Sequence, residues 1–66
     1  MEILLNGDKR VVAQGLTLAK LLESLEIRTG SVAVEHNEKV IPRKNLEQVA
    51  LNSGDKVEIV RFVGGG

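Results

Sequence analysis

Three glycines, Gly64, Gly65 and Gly66, close the sequence directly after Arg61, Phe62 and Val63. They carry no side chain that could act as acid, base or nucleophile, but the α-carboxyl of Gly66 is a reactive handle. With an ordinary pKa of about 3.3–3.7 it is ionised near neutral pH. As a carboxylate it is a poor electrophile; activated as an acyl-adenylate it becomes an acyl donor. Three residues at about 3.3–3.6 Å each give a reach of roughly 10 Å. Lacking Cβ atoms, they can thread a channel too narrow for other residues. The candidate covalent site is therefore Gly66, with Gly64 and Gly65 as a flexible tail behind it.

Other chemistry is thinly represented. His36 is the only histidine, and at a strand end it reads as a surface residue without the positioned partners that acid–base work needs. The nine acidic residues show neither metal-ligand spacing nor a paired-carboxylate arrangement, and all read as solvated surface. No cysteine is present, which removes disulfides, thiolate metal sites and thiol catalysis. A phosphate cradle would need glycines leading into a helix, whereas here they end the sequence. No intrinsic catalytic or metal site is expected, and the chain is expected to be no enzyme itself.

The elements that position the tail follow from hydrophobic periodicity. Glu2 to Asn6 is a short apolar strand, Asn6-Gly7 a strong hairpin turn, and Lys9 to Ala13 a second strand. Alternation places Ile3 and Leu5 on one face and Leu4 on the other. Leu18, Leu21, Leu22 and Leu25 form one helical stripe, with Thr17 as N-cap, Leu16 and Leu21 as a hydrophobic staple, and Lys20 where a capping box prefers an acid. Ser31 to His36 is a third strand, Lys39 to Ile41 a short fourth ended by Pro42, and Arg43 to Gln48 irregular or one helical turn. After a turn at 52–55, Lys56 to Phe62 is the last strand. There Val57 and Ile59 share a face with Arg61, while Val60 and Phe62 share the other with Glu58. One helix with one apolar stripe must cover a sheet, so the fold is α+β: a mixed sheet of four to five strands with a helix packed across one face.

Length and charge bound the rest. Sixty-six residues with 42% hydrophobic content make one domain, expected over 1–63, with 64–66 as its tail, and its stability should be modest. Nine basic and nine acidic residues give a net charge of +0, which argues against nucleic-acid and anionic-membrane binding. No secretory leader or membrane-length apolar run is visible, so the chain reads as cytoplasmic and, when free, monomeric. Val60 and Phe62 are expected on the sheet face away from the helix, where an exposed apolar patch marks a partner surface. Val63 adjoins them, and Leu4 is expected to extend the patch.

The ending G-D-K-V-E-I-V-R-F-V-G-G-G (Gly54 to Gly66), the helix T-L-A-K-L-L and the middle V-A-V-E-H-N-E-K-V-I-P-R (Val32 to Arg43) resemble the sulfur carrier proteins of thiamine biosynthesis. These are ubiquitin-like β-grasp proteins, and the resemblance covers the whole length. It implies that an E1-like adenylyltransferase, using ATP and Mg2+ that this chain does not itself bind, activates the Gly66 carboxylate. Sulfur from cysteine, passed as a persulfide by a desulfurase or the activating enzyme, would then yield a Gly66 thiocarboxylate that serves thiazole synthase. The absence of cysteine agrees with sulfur held on the terminus. The small subunit of molybdopterin synthase and other ubiquitin-like carriers or modifiers share this chemistry. A reading of a different class is a β-grasp binding module with an irrelevant tail, which predicts a basic face and indifference to loss of Gly66.

Overall fold

Asn6 and Gly7 take φ values of 50° and 86° in the computed structural model, the left-handed pair that a two-residue hairpin turn requires. They join β1 (Glu2–Leu5) to β2 (Asp8–Val11). Asn37 and Glu38, with φ of 50° and 72°, do the same between β3 (Val32–His36) and β4 (Lys39–Ile41). The helix α1 (Leu18–Ser24) lies between the two hairpins, and β5 (Lys56–Arg61) closes the fold. The structure describes residues 1–62.

The strands form one five-stranded mixed sheet in the order β2-β1-β5-β3-β4. The last strand thus occupies the centre, parallel to β1 and antiparallel to β3. This is the expected α+β arrangement, with five strands realised. Strand limits differ from expectation by one or two residues: the first strand ends at Leu5, the second starts at Asp8 and the last ends at Arg61. The second strand stops at Val11, and the third starts at Val32 because Thr29–Ser31 is a 3-10 turn. The amide and hydroxyl of Ser31 both donate to the Arg28 carbonyl, at 3.1 and 2.9 Å, so that segment closes on itself before it can join the sheet.

Alternation places Ile3, Leu5, Val32, Val34 and Val57 on the covered face, against Leu18, Leu21 and Leu22 of α1. Leu46 and Leu51, from the segment between β4 and β5, complete this core and are almost fully buried. The same segment repairs the imperfect helix start. The Thr17 side chain caps the Lys20 amide at 3.2 Å. The Leu18 and Ala19 amides, which no helical carbonyl can reach, donate to Val49 and Leu46 carbonyls at 3.0 Å each. Lys20, unable to serve a capping box, instead makes an exposed ion pair with Glu23 at 3.4 Å.

Candidate functional site

The central strand carries the chain out of the sheet at Arg61, and one further bond, from the Phe62 amide to the Ser31 carbonyl at 3.1 Å, fixes the point of departure. Along β5 the alternation is sharp: Val57 is fully buried, whereas Val60 is 55% exposed and Phe62, just beyond the strand, 65% exposed. Leaving an aromatic ring in water forgoes much of the burial energy such a ring can contribute. Two large apolar side chains therefore stand in solvent at the point where the tail begins. Val63, Gly64, Gly65 and Gly66 lie outside the described residues.

Leu4 is also exposed, at 37%, on the same sheet face. It pairs with Lys56 across β1 and β5, which puts it about four residues, or ~13 Å, back along the strand from Val60. Glu58 lies between them and faces Glu35 directly across β3. The structure therefore brings Val60 and Phe62 together at the tail end and leaves Leu4 apart from them.

The opposite end of β5 corrects the reading of two residues. His36 is not a free surface residue, and Asp55 is not solvated: Asp55 is only 9% exposed. Its Oδ2 accepts from His36 Nε2 at 2.7 Å and from the Asn52 amide at 2.9 Å. Asn37 Nδ2 donates to Oδ1 at 3.3 Å, and Asn37 Oδ1 accepts the Lys56 amide at 2.9 Å. A carboxylate only accepts, so the proton of the His36–Asp55 bond resides on Nε2. Burial alone would raise the Asp55 pKa, but the hydrogen bonds from His36, Asn52 and Asn37 and the charge of His36 outweigh it and hold the carboxyl below its ordinary value. This cluster ties the β3–β4 turn to the start of β5. From Asp55 to Phe62 is seven residues of extended chain, roughly 23 Å, so the pair is too distant to act at the tail root.

Sequence reasoning also passed over Asn6, whose Oδ1 accepts the Ile59 amide at 2.8 Å and extends the β1–β5 pairing past the turn. The signal was present, since asparagine both tolerates left-handed φ and bonds nearby backbone. Arg43 was missed as well. Its guanidinium lies so close over Gly30 that a Cβ built there would sit 2.8 Å from it. Arg43 shares with Thr29, Gly30, Val32 and Phe62 a cleft of about 280 Å³ at the tail root. Among the described residues, no charged pair of catalytic type lines that cleft.

In sequence, the exposed pair Val60 and Phe62 stands just ahead of the three terminal glycines. The sequence profile of the ThiS family matches residues 2–66, the terminal glycines included. The chain belongs to the ThiS family. Sulfur carrier protein ThiS of Escherichia coli (strain K12) is 32% identical to it over 66 residues, 100% of both chains. The crystal structure of the thiamine biosynthesis protein ThiS from Geobacter metallireducens matches with a TM-score of 0.87 at 33% identity, over 100% of both chains. The thiazole synthase of Paramagnetospirillum magneticum is 42% identical over all 66 residues, but this chain spans 20% of that protein's length. ThiS-family membership thus accords with the five-stranded sheet.

Proposed function

We propose that this chain is a sulfur carrier for the thiazole ring of thiamine, with the Gly66 carboxyl as the site that carries the sulfur. An E1-like adenylyltransferase binds the exposed face around Val60 and Phe62, with Val63 adjoining, and receives Gly64 and Gly65 in its active-site channel. Leu4 is a separate, outlying contact on the same face. The Gly66 carboxylate attacks the α-phosphate of ATP, with Mg2+ held by that enzyme, and pyrophosphate leaves. The terminal sulfur of a persulfide, supplied from cysteine by a desulfurase or by the activating enzyme, then displaces AMP to give an acyl disulfide. A thiol cleaves the disulfide and is itself oxidised to a disulfide, freeing the thiocarboxylate. Thiazole synthase takes that sulfur.

The observation that carries this reading is the exposed Val60–Phe62 pair at the root of the tail. A small domain acting alone gains stability by burying such side chains. Their exposure beside a side-chain-free tail suits a surface completed by an enzyme. The segment alike over all 66 residues within a thiazole synthase supports thiazole synthase as acceptor over molybdopterin synthase. Dependence on ATP and on a reduced sulfur pool suits the cytoplasm, and no helix among the described residues is long and apolar enough to cross a membrane.

Intact mass spectrometry tests the proposal after incubation with ATP, the adenylyltransferase and a cysteine-derived persulfide source. The expected product has one oxygen replaced by sulfur at the C-terminus, and a variant lacking Gly66 gives none. Sulfur transfer retained in that variant would sink the proposal.

A further inference from the structure

The formal charge of zero conceals an uneven distribution. Arg28 immediately precedes the 3-10 turn Thr29–Ser31, which meets Phe62 through the Ser31 carbonyl. Arg61 ends β5 opposite Val32. Arg43 and Lys44 open the 3-10 turn Arg43–Asn45, and Arg43 shares the tail-root cleft with Phe62. All four cations are exposed. The neighbouring cleft, about 340 Å³, is lined by Thr29, Arg43 and Lys44 and contains one acid, Glu47. Among the described residues, none of the four cations makes an ion pair; the pairs present are Lys20–Glu23, His36–Asp55 and Lys56–Glu38.

We propose that Arg28, Arg43, Lys44 and Arg61 form a cationic collar around the tail root, which docks on a carboxylate-lined rim at the mouth of the enzyme channel that takes the tail. The proposal rests on the carrier reading and supplies the partner chemistry which that reading leaves open. Like charges gathered with no ion-pair partner and a single acid, Glu47, nearby repel and cost stability; a partner's carboxylates would reverse the sign of that cost. The guanidinium of Arg43 lies close over Gly30, and Arg43 shares a cleft with the exposed Phe62. Arginine with an aromatic anchor is the composition of an interface hot spot. Charges at the rim of such a contact act chiefly on association rate. A tail that must find a narrow channel gains most when its root is steered to the mouth.

The test is the charge-reversed variant Arg43→Glu/Lys44→Glu, assayed as a substrate of the adenylyltransferase by pyrophosphate release. Salt is varied from about 0.05 to 0.5 M, over which screening becomes short-ranged. Relative to the unaltered chain, kcat/KM should fall about tenfold or more at low salt with kcat retained, and the gap should close at high salt. The charge-conserving Arg43→Lys/Lys44→Arg variant should keep most of kcat/KM. Equal kcat/KM at low salt, or a loss that salt does not relieve, overturns the collar while the carrier reading stands. An unaltered chain that is not adenylated at all overturns the carrier reading and the collar with it. Competition by a single-stranded DNA oligonucleotide against the enzyme would assign the cations to nucleic acid, and that result also overturns the proposal.

Discussion

Asp55 shows how a residue can be chemically perturbed and still lie outside the functional site. Its carboxylate is held below its ordinary pKa because the bonds from His36, Asn52 and Asn37 outweigh the cost of burial. A carboxyl with a depressed folded value stabilises the fold fully above its unfolded value and loses that contribution as pH falls through the lower, folded value. Urea unfolding of the unaltered chain should therefore weaken on acidification below the ordinary value of 3.8, and Asp55→Asn should lose that part of the pH dependence. At neutral pH the variant should be less stable by about 1–3 kcal/mol, since buried donors lose a charged acceptor. An unchanged neutral-pH stability would show that the cluster ties nothing together. Sequence alone did not reveal this pairing: His36 and Asp55 are separated by 19 positions, and no spacing rule links a strand end to a turn so far along the chain. The sheet face that Val60 and Phe62 share, by contrast, was expected from alternation with Val57 and Ile59, and the structure shows both residues exposed on it.

At the scale of elements, the regular parts were legible and the irregular segment was not. Four leucines at helical spacing marked α1, and the Asn6-Gly7 turn marked the first hairpin. Leu46, Val49 and Leu51 follow neither a helical nor a strand period, so nothing in their spacing indicates burial. Yet this segment completes the core and supplies carbonyls to the helix N-terminus, while the Leu51 amide returns to the Leu16 carbonyl at 2.8 Å. Leu51→Ala should accordingly cost about 2–5 kcal/mol, the range for truncating a fully buried leucine. In a domain this small that is a large share of total stability. Chemical denaturation measures it, and a loss of under roughly 1 kcal/mol would mean the segment merely covers the core.

For the whole molecule, net charge proved the weakest guide. It excluded a uniformly basic protein correctly but gave no account of where charges lie, because the fold gathers Arg28, Arg43, Lys44 and Arg61 from three separate elements. The fold class was legible; the arrangement of cations near the end of β5 required three dimensions. Phe62→Ser separates docking from folding. The ring is 65% exposed, so stability should move by no more than about 0.5 kcal/mol. Affinity for the adenylyltransferase should fall by roughly 1–2 kcal/mol or more if the ring is an anchor. Calorimetric titration beside thermal unfolding distinguishes the two, and a large loss of stability with unchanged affinity would place the ring in a structural role.

The position of β5 between β1 and β3 has a mechanical consequence. A strand at the border of a sheet can be peeled away one bond at a time by a force on its end. The strand that leads to the tail is instead held on both flanks, over five residue pairs with β3 and, on the other flank, by β1 and the Asn6 side chain. A pull on the C-terminal end of β5 along the strand axis runs across its hydrogen bonds, so it loads them together in shear. In the carrier proposed above, a pull exerted by a partner enzyme on the end of β5 would thus meet the sheet where it resists pulling best.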